Sequence, residues 1–221
     1  GDVRFDVRGP VRVYDPVADR SWTPRVRVAD GGTVVPLALA KDEAVFVVFN
    51  DGTAEPRREF ADDGRELKDW TIAFPRGNGC PKSLSVRALK PLKDLDAPEE
   101  VAGFAGDVSY RTTFEAKAGE PLRLSLGKVE AWAEVRVNGR TAARLWCAPY
   151  ACDITDFVRD GANELEVVVT TTWLNRLVLD ARGNGHSLGS WVKAGPNQGH
   201  PYVDSGLIGP VRLENSAGTH P

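Results

Sequence analysis

The richest concentration of chemically capable side chains lies in a glycine-rich stretch near the end of the chain, ARGNGHSLGSWVKAGPNQGHPYVDSG from Ala181. It gathers Asn184, His186, Trp191, Asn197, His200 and Tyr202 with no strand periodicity. Aromatic faces that stack on a pyranose ring, with amides and imidazoles that hold hydroxyls, are what a sugar site needs. A loop of this length without strand pattern is uncommon and is often functional. The same residues would serve equally as buried anchors against a neighbouring domain. Asn175 and Arg176 follow Trp173 directly and read as polar groups at a strand end, either structural hydrogen-bonding groups or ligand contacts. Trp132 alternates with Glu134 and Arg136, opposite Ala131, Ala133, Val135 and Val137. It is either an exposed sugar platform or part of a second buried face.

Other chemistries find less support. Hydrolysis of a glycosidic bond needs two carboxyl groups about 5 to 9 Å apart. With 31 acidic residues, some pair meets that distance by chance, and none lies in a pocket motif. No catalytic residue is therefore assigned. His186, His200 and His220 do not stand at metal-ligand spacing, and no second Cys or His pair completes a zinc site. Cys147 and Cys152 bracket a proline-containing bend and could be bridged, or could be small buried hydrophobes like Cys80.

The elements that must position these residues are strands. Val11 and Val13 alternate with Arg12 and Tyr14, and Val26 and Val28 with Arg25 and Arg27. Val45, Val47 and Phe49 back onto Phe46 and Val48, a strand expected to be buried on both sides. Residues 1–50 read as about four short strands, a small β unit that is the tail of a preceding β domain. Residues 51–68 are polar and unpatterned and read as a linker. Residues 69–215 form the main β-sandwich, and 216–221 a tail. Within it, residues 88–102 read as a loop with a short helical turn. Val108, Tyr110, Thr112 and Phe114 share one face, as do Leu122, Leu124 and Leu126, and Leu165, Val167 and Val169. Asn138-Gly139 between alternating segments predicts a hairpin, because both central turn positions need positive φ. No helix with an amphipathic stripe longer than about two turns is expected. Short strands separated by Gly and Pro turns indicate an all-β sandwich or barrel.

Composition removes several partners. The formal net charge is −3 with no basic stripe, so nucleic acid is not expected. The apolar runs are too short to span a bilayer, so no membrane partner is expected. The chain contains no methionine, which reads as a piece of a longer polypeptide.

From Phe104 onward the residue order is more specific than periodicity. It runs FAGDVSYRTTF, LRLSLGKVEAWAEVRVNGR, LWCAPYACDITDFVRDGANELEVVVTTTWLNRL and SGLIGPVRL. This resembles the sugar-binding jelly-roll domain, a galactose-binding-like β-sandwich, of β-galactosidase- and β-glucuronidase-type hydrolases. It resembles still more the C-terminal region of α-L-rhamnosidase-like glycoside hydrolases. The motifs are Gly106, Tyr110 and Phe114; Val137 to Gly139; Trp146, Pro149 and Tyr150; Asp153 to Thr155; Gly161 and Asn163; Trp173 to Leu177; and Ser205 to Val211. Leu179 stands where that pattern more often has glycine.

The resemblance implies an all-β, galactose-binding-domain-like jelly-roll β-sandwich preceded by a small β-strand unit. It implies a non-catalytic accessory or carbohydrate-binding-type domain of a secreted or periplasmic hydrolase. The implied partners are a carbohydrate, rhamnose-containing or another polysaccharide, and a catalytic domain of the same polypeptide that carries the acids. A structural calcium is the one cofactor such sandwiches commonly hold. Trp146 and Trp173, inside the motifs, are expected in the core, and Asp153 with Thr155 organises a turn. An independent carbohydrate-binding module and a purely structural interdomain module remain alternatives.

Overall fold

A computed structural model describes residues 1–17, 20–39, 41, 43–49, 60, 64–183 and 186–215. The chain divides into two compact units, Gly1–Phe60 and Ala61–Asn215. Residues 51–59, 61–63 and the tail 216–221 lie outside the described residues.

The first unit holds β1 (Asp2–Phe5), β2 (Val11–Asp15), β3 (Arg20–Trp22), β4 (Arg27–Ala29), β5 (Gly32–Pro36) and β6 (Phe46–Phe49). They form two three-stranded antiparallel sheets, ordered β1-β5-β4 and β3-β2-β6. Six strands therefore replace the four expected. The additional ones are three or four residues long, too short to show a period of two. Val11, Val13 and Val35 make the core, with Phe5, Trp22, Val45, Val47 and Phe49 packed on it. β6 is not buried on both sides: it is an edge strand, and Phe46 is 60% exposed and stacks on Tyr14.

The second unit opens with β7 (Arg65–Glu66), so the end of the stretch read as linker is a strand, and Leu67 beside it enters the core. There follow β8 (Trp70–Ala73), β9 (Ser83–Val86), a 3-10 turn at Leu92–Asp94 and a short helix α1 (Glu99–Ala102). Then come β10 (Asp107–Ala116), β11 (Leu122–Ser125), β12 (Lys128–Glu130), β13 (Trp132–Val137), β14 (Arg140–Leu145), β15 (Ala151–Asp153) and β16 (Gly161–Thr170). The unit closes with helix α2 (Leu174–Arg182), β17 (Gly206–Gly209) and β18 (Arg212–Asn215).

A six-stranded antiparallel sheet, ordered β14-β13-β16-β10-β8-β9, accompanies a four-stranded one, β15-β11-β18-β7, and a two-stranded pair, β12-β17. Both larger sheets send alternate side chains into one core. It contains Trp70, Ile72, Val108, Tyr110, Val135 and Val167 from the first and Leu122, Leu124, Cys152 and Leu213 from the second. The fold is an all-β sandwich, as expected. Each of these large side chains contributes about 1.5–3 kcal/mol by leaving water.

The motif residues explain themselves locally. Asn138 and Gly139 take φ of 51° and 78°, the turn that joins β13 to β14. Asn163 is fully buried: its amide nitrogen donates to the carbonyls of Arg159 and Gly161, and its Oδ1 accepts from the Arg159 amide and Asn138 Nδ2. Asp153 Oδ1 accepts from both the amide and the hydroxyl of Thr155, forming the expected turn.

Two expectations fail. Trp146 and Trp173 are 65% and 55% exposed, not core. The Trp173–Leu177 motif opens a nine-residue helix, not a strand end. Of the two readings left open for Cys147 and Cys152 the unbridged one holds, and all three cysteines are thiols. No helix among the described residues is long and apolar enough to cross a membrane.

Candidate functional site

Helices α1 and α2 hold down residues 186–205, which follow them. The inner side of α2 is part polar and part apolar. Asn175, Arg176, Val178 and Leu179 are buried, at positions i, i+1, i+3 and i+4. Its last turn ends at Gly183, whose φ of 70° closes the helix without the penalty a Cβ would bring.

Arg176 and Asp180, one helical turn apart, form an ion pair at 2.8 Å with side chains 1% and 3% exposed. Arg176 also donates to the carbonyl of His186. Asp180 accepts from the Leu188 amide at 3.2 Å, the Ser190 amide at 2.8 Å and the Ser190 hydroxyl at 2.6 Å. Burial alone would raise the Asp180 carboxyl. The Ser190 bonds, Arg176 and the Leu188 amide outweigh it and hold it at about 2.

Two more clamps act beside this one. Asn175 donates to the Val203 carbonyl and accepts from the Val203 amide, both at 2.9 Å. Glu99 of α1 accepts from Tyr202 Oη at 2.8 Å and pairs with Arg182 at 2.9 Å. Arg182 lies 4.2 Å above the Tyr202 ring and donates to the His200 carbonyl. Burial, then the Glu99 carboxylate, push the Tyr202 phenol up. Glu100 accepts from the His186 amide at 3.0 Å.

The candidate residues therefore separate. Asn175, Arg176, His186, His200 and Tyr202 are brought together, but Asn175, Arg176 and Tyr202 use their side chains to fasten the segment. His186 and His200 take part in these clamps through their backbones. Asn197 closes a turn with its Oδ1 on the Gly199 amide and its own amide on His200 Nδ1. Trp191 is 79% exposed and makes the fastened segment's most prominent apolar surface. Asn184 lies outside the described residues. Trp132 belongs to the open face of the six-stranded sheet, half-buried in β13, and so is not part of the buried core. Asp180, Glu99, Arg182 and Ser190 escaped the sequence reading. The signal available was the spacing of Arg176 and Asp180, which pair only if the segment is helical.

The arrangement positions a surface and does not activate a nucleophile. Cys80 is pushed up to about 12 by burial and the Glu100 carboxylate, which leaves it an inert thiol. The carboxyls that depart from their ordinary range, Glu134, Glu166, Asp180 and Asp204, all depart downward. No group of three His, Cys, Asp or Glu side chains converges among the described residues.

No family model matches the chain. Over 118 residues the chain is 36% identical to a protein of Formosa agariphila described as a putative beta-glucuronidase, covering 51% of this chain and 10% of that one. The structure of a rhamnosidase from Novosphingobium sp. PP1Y matches with a TM-score of 0.84 and 36% identity, over 96% of this chain and 21% of that one. A beta-glucuronidase from Ruminococcus gnavus matches with a TM-score of 0.50 and 19% identity, over 72% of this chain and 30% of that one, a likeness of fold. The chain spans about a fifth of the rhamnosidase and a tenth of the Formosa protein. The resemblance to rhamnosidase- and glucuronidase-type hydrolases thus holds in sequence and in fold, and the chain is a glycoside-hydrolase-related all-β segment.

Proposed function

We propose that this chain is a non-catalytic accessory part of a secreted or periplasmic, α-L-rhamnosidase-like glycoside hydrolase. Its second unit acts as a galactose-binding-like jelly-roll sandwich that supports the catalytic domain of the same polypeptide. It holds the 186–205 segment toward the carbohydrate, rhamnose-containing or another polysaccharide.

One observation carries this reading. Helix α2 buries the Arg176–Asp180 ion pair beside Val178 and Leu179, while Trp173 and Leu174 at its start are 55% and 41% exposed. Residues of the segment fastened to that helix add Leu188 at 39%, Trp191 at 79%, Val192 at 52% and Val203 at 41%. Large apolar side chains exposed in such number are costly in water unless a partner covers them. Paired, buried charges fix the helix and the segment that carry them. The names of the relatives, a rhamnosidase and glucuronidases, support a sugar as the ligand and a hydrolase as the setting.

Glycoside hydrolysis needs a carboxyl raised enough to donate a proton near neutrality. The direct test incubates the chain alone with 4-nitrophenyl α-L-rhamnopyranoside and 4-nitrophenyl β-D-glucuronide. No release of nitrophenol above the buffer rate is expected. Enzymatic turnover of either substrate overturns the non-catalytic reading.

A further inference from the structure

The six-stranded sheet has a second face, and its chemistry differs from that of the α2 surface. In the pairing of β13 with β14, Glu134 stands opposite Arg144. Glu134 is 7% exposed and gives Oε1 to Arg136 and Oε2 to Arg144 Nε, at 2.6 and 2.9 Å. Across β16 and β10, Glu166 accepts from Arg136 Nη1 at 3.3 Å and from Arg111 Nη2 at 2.8 Å.

The carboxylate side chains lie low, 9% and 20% exposed, and the guanidiniums of Arg111, Arg136 and Arg144 stand out at 62%, 40% and 65%. Arg144 commits only Nε, so both its Nη groups are left to donate. Asp107, Glu115 and Glu164, the other acids of β10 and β16 on this face, lie away from the β13–β14 edge. The excess of cation is thus confined to the β13–β14 edge, where Arg136 and Arg144 share Glu134.

Beside that edge the same register continues to aromatics. Ala133 pairs with Leu145, which is buried, and Trp146 follows directly, just past the end of β14 and two residues on from Arg144. Trp146 is 65% exposed. An indole offers a stacking face for a sugar ring, and a guanidinium with two outward Nη groups matches the two oxygens of a carboxylate or sulfate. A neutral chain would leave that fork facing nothing.

We propose that the β13–β14 edge of the sandwich binds an acidic glycan, with a sugar ring against Trp146 and its carboxylate or sulfate on Arg144. This surface is separate in its residues from the α2 surface and does not depend on the accessory role.

Calorimetric titration of the full chain with a hyaluronan oligosaccharide, a dextran sulfate oligosaccharide and a neutral dextran of equal length tests it. Saturable binding of at least one acidic probe is expected, and the preferred probe identifies the anion as uronate or sulfate. Arg144→Gln and Trp146→Ala, both at exposed positions, each weaken that binding about tenfold. Arg144→Lys keeps Glu134 paired and still weakens it severalfold, because the planar fork is lost. The proposal is overturned if neither acidic probe binds saturably, if neutral dextran binds equally well, or if the three edge variants bind like the parent chain.

Discussion

Asp180 makes one ion pair and accepts three hydrogen bonds from the segment it fastens, with its side chain 3% exposed. Removing one member of a buried pair leaves the other charged and unsolvated, at a cost of about 3–5 kcal/mol. Asp180→Asn is therefore expected to lower the unfolding free energy read from urea titration by about that amount. It should also speed hydrogen exchange at the amides of Leu188 and Ser190. The pH dependence has a fixed sign. The folded carboxyl sits at about 2, below its ordinary 3.8, so the unfolded chain binds the proton more readily. The stabilisation is complete above about pH 4 and is lost as pH falls toward 2. Stability should drop across that interval in the parent chain and much less in Asp180→Asn. At this scale the sequence was partly legible. Trp191 was marked as a stacking face or a buried anchor, and it is exposed. Asn175 and Arg176 were left as structural hydrogen-bonding groups or ligand contacts, and Tyr202 as a sugar or interface contact, since a side chain that binds backbone looks in sequence like one that binds sugar.

Elements were legible where the pattern and the turn chemistry agreed. Strands β10, β11, β13 and β16 alternate cleanly, and Asn138-Gly139 fixes a register in which each alternate side chain finds the core. Helix α2 was missed for a physical reason. It follows Val-Val-Val-Thr, strong strand formers, and its buried face mixes Asn175 and Arg176 with Val178 and Leu179 while Leu174 is exposed, which blurs the apolar stripe. Its legible marks were Arg182 in the last turn and Gly183 just past it. The closing strand β17 carries its own demand. Gly206 has φ of 89°, and a Cβ there would collide with the buried hydroxyl of Tyr110. Gly206→Ala is expected to destabilise the second unit by about 2 kcal/mol or more, read from the thermal midpoint. No change in midpoint would mean that β17 moves away from β10 freely.

At the scale of the whole molecule, two units of β-structure are present, and the larger is a complete sandwich with one core. Alternation and turn signals foretold that class, while the surfaces the sandwich presents were hidden from it. Exposure of Trp146 and Trp173 depends on which tertiary partner each lacks, and local pattern carries no record of that. The accessory role makes the α2 surface an interface, and that can be read from one comparison. Hydroxyl-radical footprinting of this chain alone, and of the full-length polypeptide that carries it, reports the reactivity of each tryptophan, with Trp146 as internal reference. Protection of Trp173 and Trp191 in the longer polypeptide is expected. Equal reactivity of both in the two samples would contradict a covered α2 face and, with it, the supporting role assigned to the sandwich.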